Sequence, residues 1–136
     1  MDLTTQYLGL TLRNPVVASA GPLSQTVAGV RELAAGGVGA IVMYSLFEEQ
    51  VRRELQRDLE LEQTHEESFP EALSYFPASA ERPEPGVADR YLDLVRRAVE
   101  AVDVPVIASI NGSSLGGWVE IARQLGDAGA SAIELN

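Results

Sequence analysis

Small and polar residues collect at four places in this sequence, each directly after an apolar run: Ala20-Gly21, Tyr44-Ser45, Ser109-Asn111 and Glu134-Asn136. Glycine and alanine let a ligand approach the backbone amides. Hydroxyls, the phenol and the carboxamides donate and accept hydrogen bonds. Groups of this kind orient a planar polar ligand; they do not form a strong nucleophile. The chain has no cysteine and no lysine, and its single histidine, His65, sits in an acidic stretch. Thiolate chemistry and a Schiff-base lysine are thereby excluded within these residues. A lone, solvent-facing His65 gives no reason to expect a metal centre.

The elements that must position these groups follow from periodicity. "NPVVASA" (14–20), "GAIVMYS" (39–45), "VPVIASIN" (104–111) and "ASAIELN" (130–136) read as buried strands. Ahead of them, "YLGLTL" alternates apolar and polar residues around Gly9, as a short β-hairpin does. Between the first two strands lies a helix with Ser24 as expected N-cap. Its apolar face is Val27, Val30, Leu33 and Ala34, and Gly36 and Gly37 end it. A second helix, "VADRYLDLVRRAVEAV", carries Leu92, Val95, Val99 and Val102 on one face. A third has Ser113 or Ser114 as cap, a stripe of Leu115, Trp118, Ala122 and Leu125, and Gly126 or Gly129 at its close. Residues 48–90 read as an irregular acidic and proline-rich insertion. Its first part is expected to contain helix, and "SFPEALSYFPASAERPEPG" reads as a long ordered loop containing Phe69, Tyr75 and Phe76.

Apolar strands alternating with amphipathic helices specify an α/β fold with a parallel sheet and right-handed crossovers. Two architectures compete. A doubly wound sheet calls for a glycine-rich phosphate turn after its first strand, and "ASAGPLSQ" has no G-x-G-x-x-G. A (β/α)8 TIM barrel calls for polar or glycine residues at the C-terminal strand ends, which is where this chain has them. The barrel is favoured, with the hairpin plugging the opposite mouth. A whole barrel takes about 250 residues. These 136 residues are therefore expected to be the first four βα units, with raw sheet edges and an uncovered apolar face. They would come from a longer protein, or pair with a second copy or a complementing half-barrel.

Composition narrows the function classes. The chain is 46% hydrophobic with mean hydropathy near zero, and its formal net charge is −10. Such a chain repels phosphate backbones, so nucleic acid is not an expected partner. No apolar run reaches the roughly 18 residues of a membrane span. The N-terminal "MDLTTQYLGL" lacks a signal peptide's basic and apolar regions, and a cytoplasmic location is expected. The acid concentrated in 48–71 reads as a solvated helical surface, with a docking surface for a basic partner as the alternative.

The strand motifs "NPVVASAGPL", "GVGAIVMYS", "VPVIASINGSS" and "GASAIELN", in this order and after a hairpin, resemble those of the class 1 dihydroorotate dehydrogenases. The similarity is greatest to their divergent dihydroorotate dehydrogenase-like branch. It covers the chain except its long middle segment, and the fourth motif is the most specific. The resemblance implies a barrel with FMN across the C-terminal face, in a flavoprotein oxidoreductase of pyrimidine biosynthesis acting on dihydroorotate or a related CH–CH substrate. It implies cofactor contacts at Ala20, Gly21, Tyr44, Ser45, Ser109 and Asn136, and substrate contacts at Tyr44, Asn111 and Asn136. Three positions depart from the family pattern. Ala20 replaces a serine, Tyr44 replaces a lysine and with it a fixed positive charge, and "SYFPASAERPEPG" stands where the family has its substrate loop.

Each of these residues also has a plain structural reading. Tyr44 could be an aromatic lid on the barrel top, Ser45 and Ser109 could satisfy nearby backbone, and Asn111-Gly112 is a turn signal in its own right. Glu134 is expected to be structural, as a strand residue or a hydrogen-bond partner inside the barrel, and Trp118 to be core. In the family the catalytic base follows the fourth motif, so it is expected beyond Asn136, and no catalytic residue is expected within this chain. The cofactor phosphate of such barrels binds after strands seven and eight. These residues alone are therefore expected to be inactive and to hold FMN weakly if at all. The alternatives are a non-catalytic truncated or half-barrel chain that pairs with another subunit, and an unrelated barrel enzyme such as an aldolase.

Overall fold

The computed structural model describes residues 1–68, 85–112 and 118–136, and for 61–68 the backbone alone. The elements are β1 (Thr5–Tyr7), β2 (Leu10–Leu12), β3 (Val17–Ala18), α1 (Val27–Ala35), β4 (Ala40–Phe47), α2 (Glu48–Ser68), α3 (Val87–Ala101), β5 (Val106–Asn111), α4 (Trp118–Asp127) and β6 (Ala132–Leu135). β3, β4, β5 and β6 form one parallel sheet in chain order. A doubly wound sheet reverses its strand order at a switch point. Each strand here instead lies beside its successor, an arrangement consistent with part of a TIM-barrel-like fold.

Strand alternation gives the sheet two faces. On one, Ile41, Met43, Leu46, Val106, Ala108 and Ile110 meet the helices through Val30 of α1, Tyr91, Val95 and Ala98 of α3, and Leu125 of α4. On the other, Ala40, Val42 and Ile107 pack with Leu12 of the hairpin, flanked by Leu10, Val17 and Ala132. This second face is the one expected to be left uncovered. The hairpin closes its lower half so well that Leu12 is 1% and Ile107 2% exposed.

β1 and β2 pair antiparallel with Tyr7 opposite Leu10. Leu8 and Gly9 between them both have positive φ, 51° and 75°, the two-residue turn whose twist matches paired strands. Arg13 then ties the hairpin to the sheet. Its guanidinium donates to the carbonyls of Val38 and Ala34, each at 2.9 Å. It thereby joins the hairpin to the last turn of α1 and to the segment that leads into β4.

Helix ends differ in detail from the sequence expectation. Thr26, not Ser24, caps α1, its Oγ1 accepting from the Gly29 amide at 3.1 Å. Ser24 is buried one turn earlier, in a 3-10 turn over Pro22–Gln25, where its hydroxyl donates to the Gly21 carbonyl at 2.9 Å. α3 is rotated from its expected face: Tyr91, Val95 and Ala98 are its buried residues, with Leu92, Val99 and Val102 at the flanks. Within the insertion expected over 48–90, α3 begins at Val87, where a helix was expected to start, and the helix expected in the first part runs over Glu48–Ser68. Glutamates at its first two positions favour a helix start there. Phe69, Tyr75, Phe76, Ser113, Ser114 and Leu115 lie outside the described residues, as does the side chain of His65.

Gly29 sits where α1 crosses the 3-10 turn, and a methyl group there would overlap the Leu23 carbonyl oxygen. In an open helix Gly→Ala gains up to about 1 kcal/mol. Here the backbone blocks it, so Gly29→Ala should cost about 2 kcal/mol or more. Urea unfolding measures the sign, and a stabilised variant would show that the turn gives way.

Candidate functional site

The site is built by an irregularity in β4. Val42 pairs with Ile107 and Ser45 with Ser109, so Met43 and Tyr44 together oppose Ala108. This is a β-bulge, and a bulge re-aims the side chains that follow it. Met43 and Tyr44 both pack toward the helices, and Ser45 is delivered to the face opposite Leu46. The next register pairs Ser109 with Glu134. Above the apolar layer of Ala40, Val42, Ile107 and Ala132, the same face therefore carries a polar layer of Ser45, Ser109 and Glu134, with Asn136 at its rim.

These four side chains form one network. Ser45 Oγ and Ser109 Oγ are 2.8 Å apart. Ser109 Oγ donates to Glu134 Oε1 at 2.9 Å. Asn136 Nδ2 donates to Glu134 Oε1 at 2.8 Å and more weakly to Ser109 Oγ at 3.4 Å. Ser109 is fully buried, Ser45 and Glu134 are half-buried, and Asn136 is exposed. The cluster therefore opens toward solvent at the C-terminal strand ends, while its centre is dry. Among the described residues no buried side-chain polar atom lacks a partner.

Tyr91 fixes the centre from behind. Its hydroxyl accepts from the Ser109 amide and donates to the Ser109 carbonyl, both at 3.0 Å. These are the main-chain groups beside the bulge, where the ladder is interrupted, so the phenol stands in for a strand partner. Burial pushes the Tyr91 phenol up to about 12, with the Ser109 hydrogen bond acting in the opposite sense. Tyr44 stacks edge-to-face on Tyr91, centroids 5.1 Å apart at 82°. Burial also raises the Tyr44 phenol above its ordinary value, against the opposing charge of Arg90.

Of the residues singled out in the sequence, Ser45, Ser109 and Asn136 come together, and Glu134, expected to be structural, joins them. Tyr44 does not. It lines a cleft on the helix side with Gln50, Arg53, Glu54, Arg57, Val87 and Arg90. Asn111 lies one layer above Ser109, opposite Phe47 of β4 and half-buried. Ala20 and Gly21 follow β3 at the same end of the sheet, but the Gly21 amide is directed to Ser24 Oγ at 3.3 Å. Trp118, expected as core, also crosses the sheet end, its indole N–H donating to Glu48 Oε2 at 3.3 Å. A side chain on Gly112 would run into that indole. Tyr91 was missed from the sequence altogether. Its spacing of i, i+4, i+7 with Val95 and Ala98 is the signal that could have found it.

A parallel sheet in sequential order, with a hydroxyl–carboxylate–carboxamide layer at its C-terminal end, makes this an α/β chain consistent with part of a TIM-barrel-like fold. The relatives are specific. The chain is 28% identical, over 138 aligned residues and 98% of its own length, to a dihydroorotate dehydrogenase B (NAD(+)) catalytic subunit from Methanocaldococcus jannaschii. It is 51% identical over 43 residues to a protein from Aeropyrum pernix named as a dihydroorotate dehydrogenase A (fumarate). No family model matches. The similarity supports a divergent relative of the dihydroorotate dehydrogenases. The alignments span 41% and 14% of those two proteins.

Loss of the Tyr91 hydroxyl strands two buried main-chain groups, so at about 1–3 kcal/mol for each, Tyr91→Phe should cost about 2–6 kcal/mol in denaturant unfolding. The phenol also makes stability depend on pH. Below pH 10 it is protonated in both states and its contribution is complete. Between the ordinary value of 10 and the folded value of about 12 the unfolded chain loses the proton first, so stability falls as pH rises. Wild-type unfolding free energy should drop across pH 10–12 more steeply than that of Tyr91→Phe. Equal slopes would remove Tyr91 as the cause.

Proposed function

We propose that the chain forms the first part of an FMN-binding barrel, and that the whole protein oxidises dihydroorotate or a related CH–CH substrate. The observation that carries this is the Ser45–Ser109–Glu134–Asn136 network at the C-terminal strand ends, where barrel enzymes of every chemistry place their sites. Similarity to two dihydroorotate dehydrogenases supports the choice of chemistry.

The residues present fit a flavin ring. Its polar edge alternates carbonyls with an N–H, and it needs partners held rigidly in one plane. Asn136 is held by Glu134 through its amide group, which leaves its carbonyl oxygen as an acceptor at the rim. Ser45 is held through Ser109, and Asn111 adds a second carboxamide one layer up. When bound, FMN would supply a two-electron acceptor. The protein's part is to orient it and to keep water from the buried Ser109 side. Ala20 and Gly21 would approach it with backbone. Tyr44 would act on it only indirectly, through the packing of Tyr91.

We further propose that β3 and β6 are joined by the remaining strands of the barrel, from the same polypeptide or a partner chain. They end the sheet among the described residues, and Leu135 on β6 is 74% exposed. The non-catalytic half-barrel alternative shares this feature. No described helix is long and apolar enough to cross a membrane.

With only one side of the flavin site in hand, this polypeptide should perturb the FMN spectrum at high concentration and lose the flavin on dialysis. Asn136→Ala should abolish the perturbation. No spectral change in the wild type would remove the flavin-face proposal. Stoichiometric flavin after dialysis would show instead that the 136 residues suffice.

A further inference from the structure

The acidic stretch that begins at Glu48 is not acidic on every side once it is coiled. Gln50, Arg53, Glu54 and Arg57 of α2 follow one another at i, i+3, i+4 and i+7, which puts them on one helix face. That face meets the start of α3 behind the ring of Tyr44. With Val87 and Arg90 it lines a cleft of about 410 Å³, a size that holds a small ligand. Three of the chain's ten arginines gather here with one carboxylate, in a protein whose formal net charge is −10.

The hydrogen bonds show which of these groups are already engaged. Glu54 uses both oxygens within the protein: Oε2 accepts from the Val87 amide at 2.5 Å, and Oε1 lies 3.7 Å from Arg90 Nη2. Its charge is thereby spent on the first amide of α3 and on one of the three arginines. Arg90 also donates through Nη1 to the Pro85 carbonyl at 2.5 Å, and its charge reaches the Tyr44 phenol. Arg53, Arg57 and Gln50 have no polar partner among the described residues. Neither has the half-buried Tyr44 hydroxyl, which therefore opens on the cleft. Two guanidiniums that can only donate remain for a ligand, beside a phenol and a carboxamide that can also donate. The positive end of α3 adds to their field.

We propose that this cleft binds the phosphate monoester group of a small metabolite, with Arg53 and Arg57 clamping the dianion from α2 and the Tyr44 hydroxyl meeting it from the sheet. Two uncompensated cations match a group that carries nearly two negative charges on three terminal oxygens. A single carboxylate would neutralise only one of them. The cleft lies on the helix face of the sheet, opposite the Ser45–Ser109–Glu134–Asn136 network. It is a second site, and it does not rest on the flavin reading.

The test titrates inorganic phosphate, glycerol 3-phosphate and acetate calorimetrically into the full chain at low ionic strength, without flavin. Both phosphates should bind, and acetate at least about tenfold more weakly. Arg53→Gln and Arg57→Gln should each weaken phosphate about fivefold or more. Both side chains are exposed and unpaired, so these variants should unfold in urea as the wild type does. Tyr44→Phe keeps the ring on Tyr91 and should weaken phosphate about threefold. Phosphate affinity should fall as pH drops below about 6, where the second proton binds, whereas sulfate, dianionic throughout, should show no such fall. Asn136→Ala, which removes the flavin perturbation, should leave phosphate binding unchanged. No binding at millimolar phosphate, unchanged affinity in both arginine variants, acetate binding as tight as phosphate, or glycerol 3-phosphate binding over about tenfold more weakly than free phosphate would each overturn the proposal. None of these results depends on whether FMN binds.

Discussion

The grip of one phenol on both main-chain groups of Ser109 is the interaction on which this structure turns. A parallel ladder interrupted inside a sheet leaves an amide and a carbonyl to satisfy where water does not reach, at about 1–3 kcal/mol for each group left open. Tyr91, fully buried on α3, satisfies both at 3.0 Å. The bulge in β4 becomes affordable, and the bulge sets which face every later residue of that strand occupies. Without it, strict alternation from Val42 would place Tyr44 on the inner face and Ser45 against the helices.

The inner face is layered for the same reason. Its lower layer is apolar and dry because the hairpin lies across it, pinned by Arg13 and a positive-φ turn at Leu8-Gly9. Its upper layer can be polar because each member has a partner within it. A carboxylate half-buried on a strand is costly by itself. Glu134 is tolerated because a hydroxyl and an amide both donate to one of its oxygens. Ser109 connects the two halves of the design, since its backbone answers to α3 and its side chain to the neighbouring strands.

Much of this was legible in the sequence. Four apolar runs with small or polar ends gave the parallel strands, and the glycine pair at 36–37 marked the end of α1 where Gly37 adopts a φ of 91°. Three things were not legible. Thr26 and Ser24 are both good caps by composition, and only the 3-10 turn distinguishes them. The rotation of α3 that buries Tyr91 moves its apolar stripe by one residue, below the resolution of a 3.6 period with leucines and valines on both flanks. A bulge leaves no mark in a strand as uniformly apolar as "AIVM", so the faces of Tyr44 and Ser45 could not be assigned from alternation.

That bulge changes the meaning of the residue at position 44. By the family resemblance alone, Tyr44 stands where a lysine is expected, as though a cation at the ligand were exchanged for a phenol. By backbone, Tyr44 packs edge-to-face on Tyr91 and faces α2 and α3. The ring therefore buttresses the same tyrosine that holds Ser109, and its contribution here is one of packing. A lysine at this depth would have to carry its charge to solvent along its stem or lose it, whereas a neutral ring fills the space without that demand. On the opposite face of the same strand ends stands the carboxylate of Glu134. The helix-side tyrosine pair holds that carboxylate's neighbour Ser109 in register, so the packing on one face sets the polar geometry on the other.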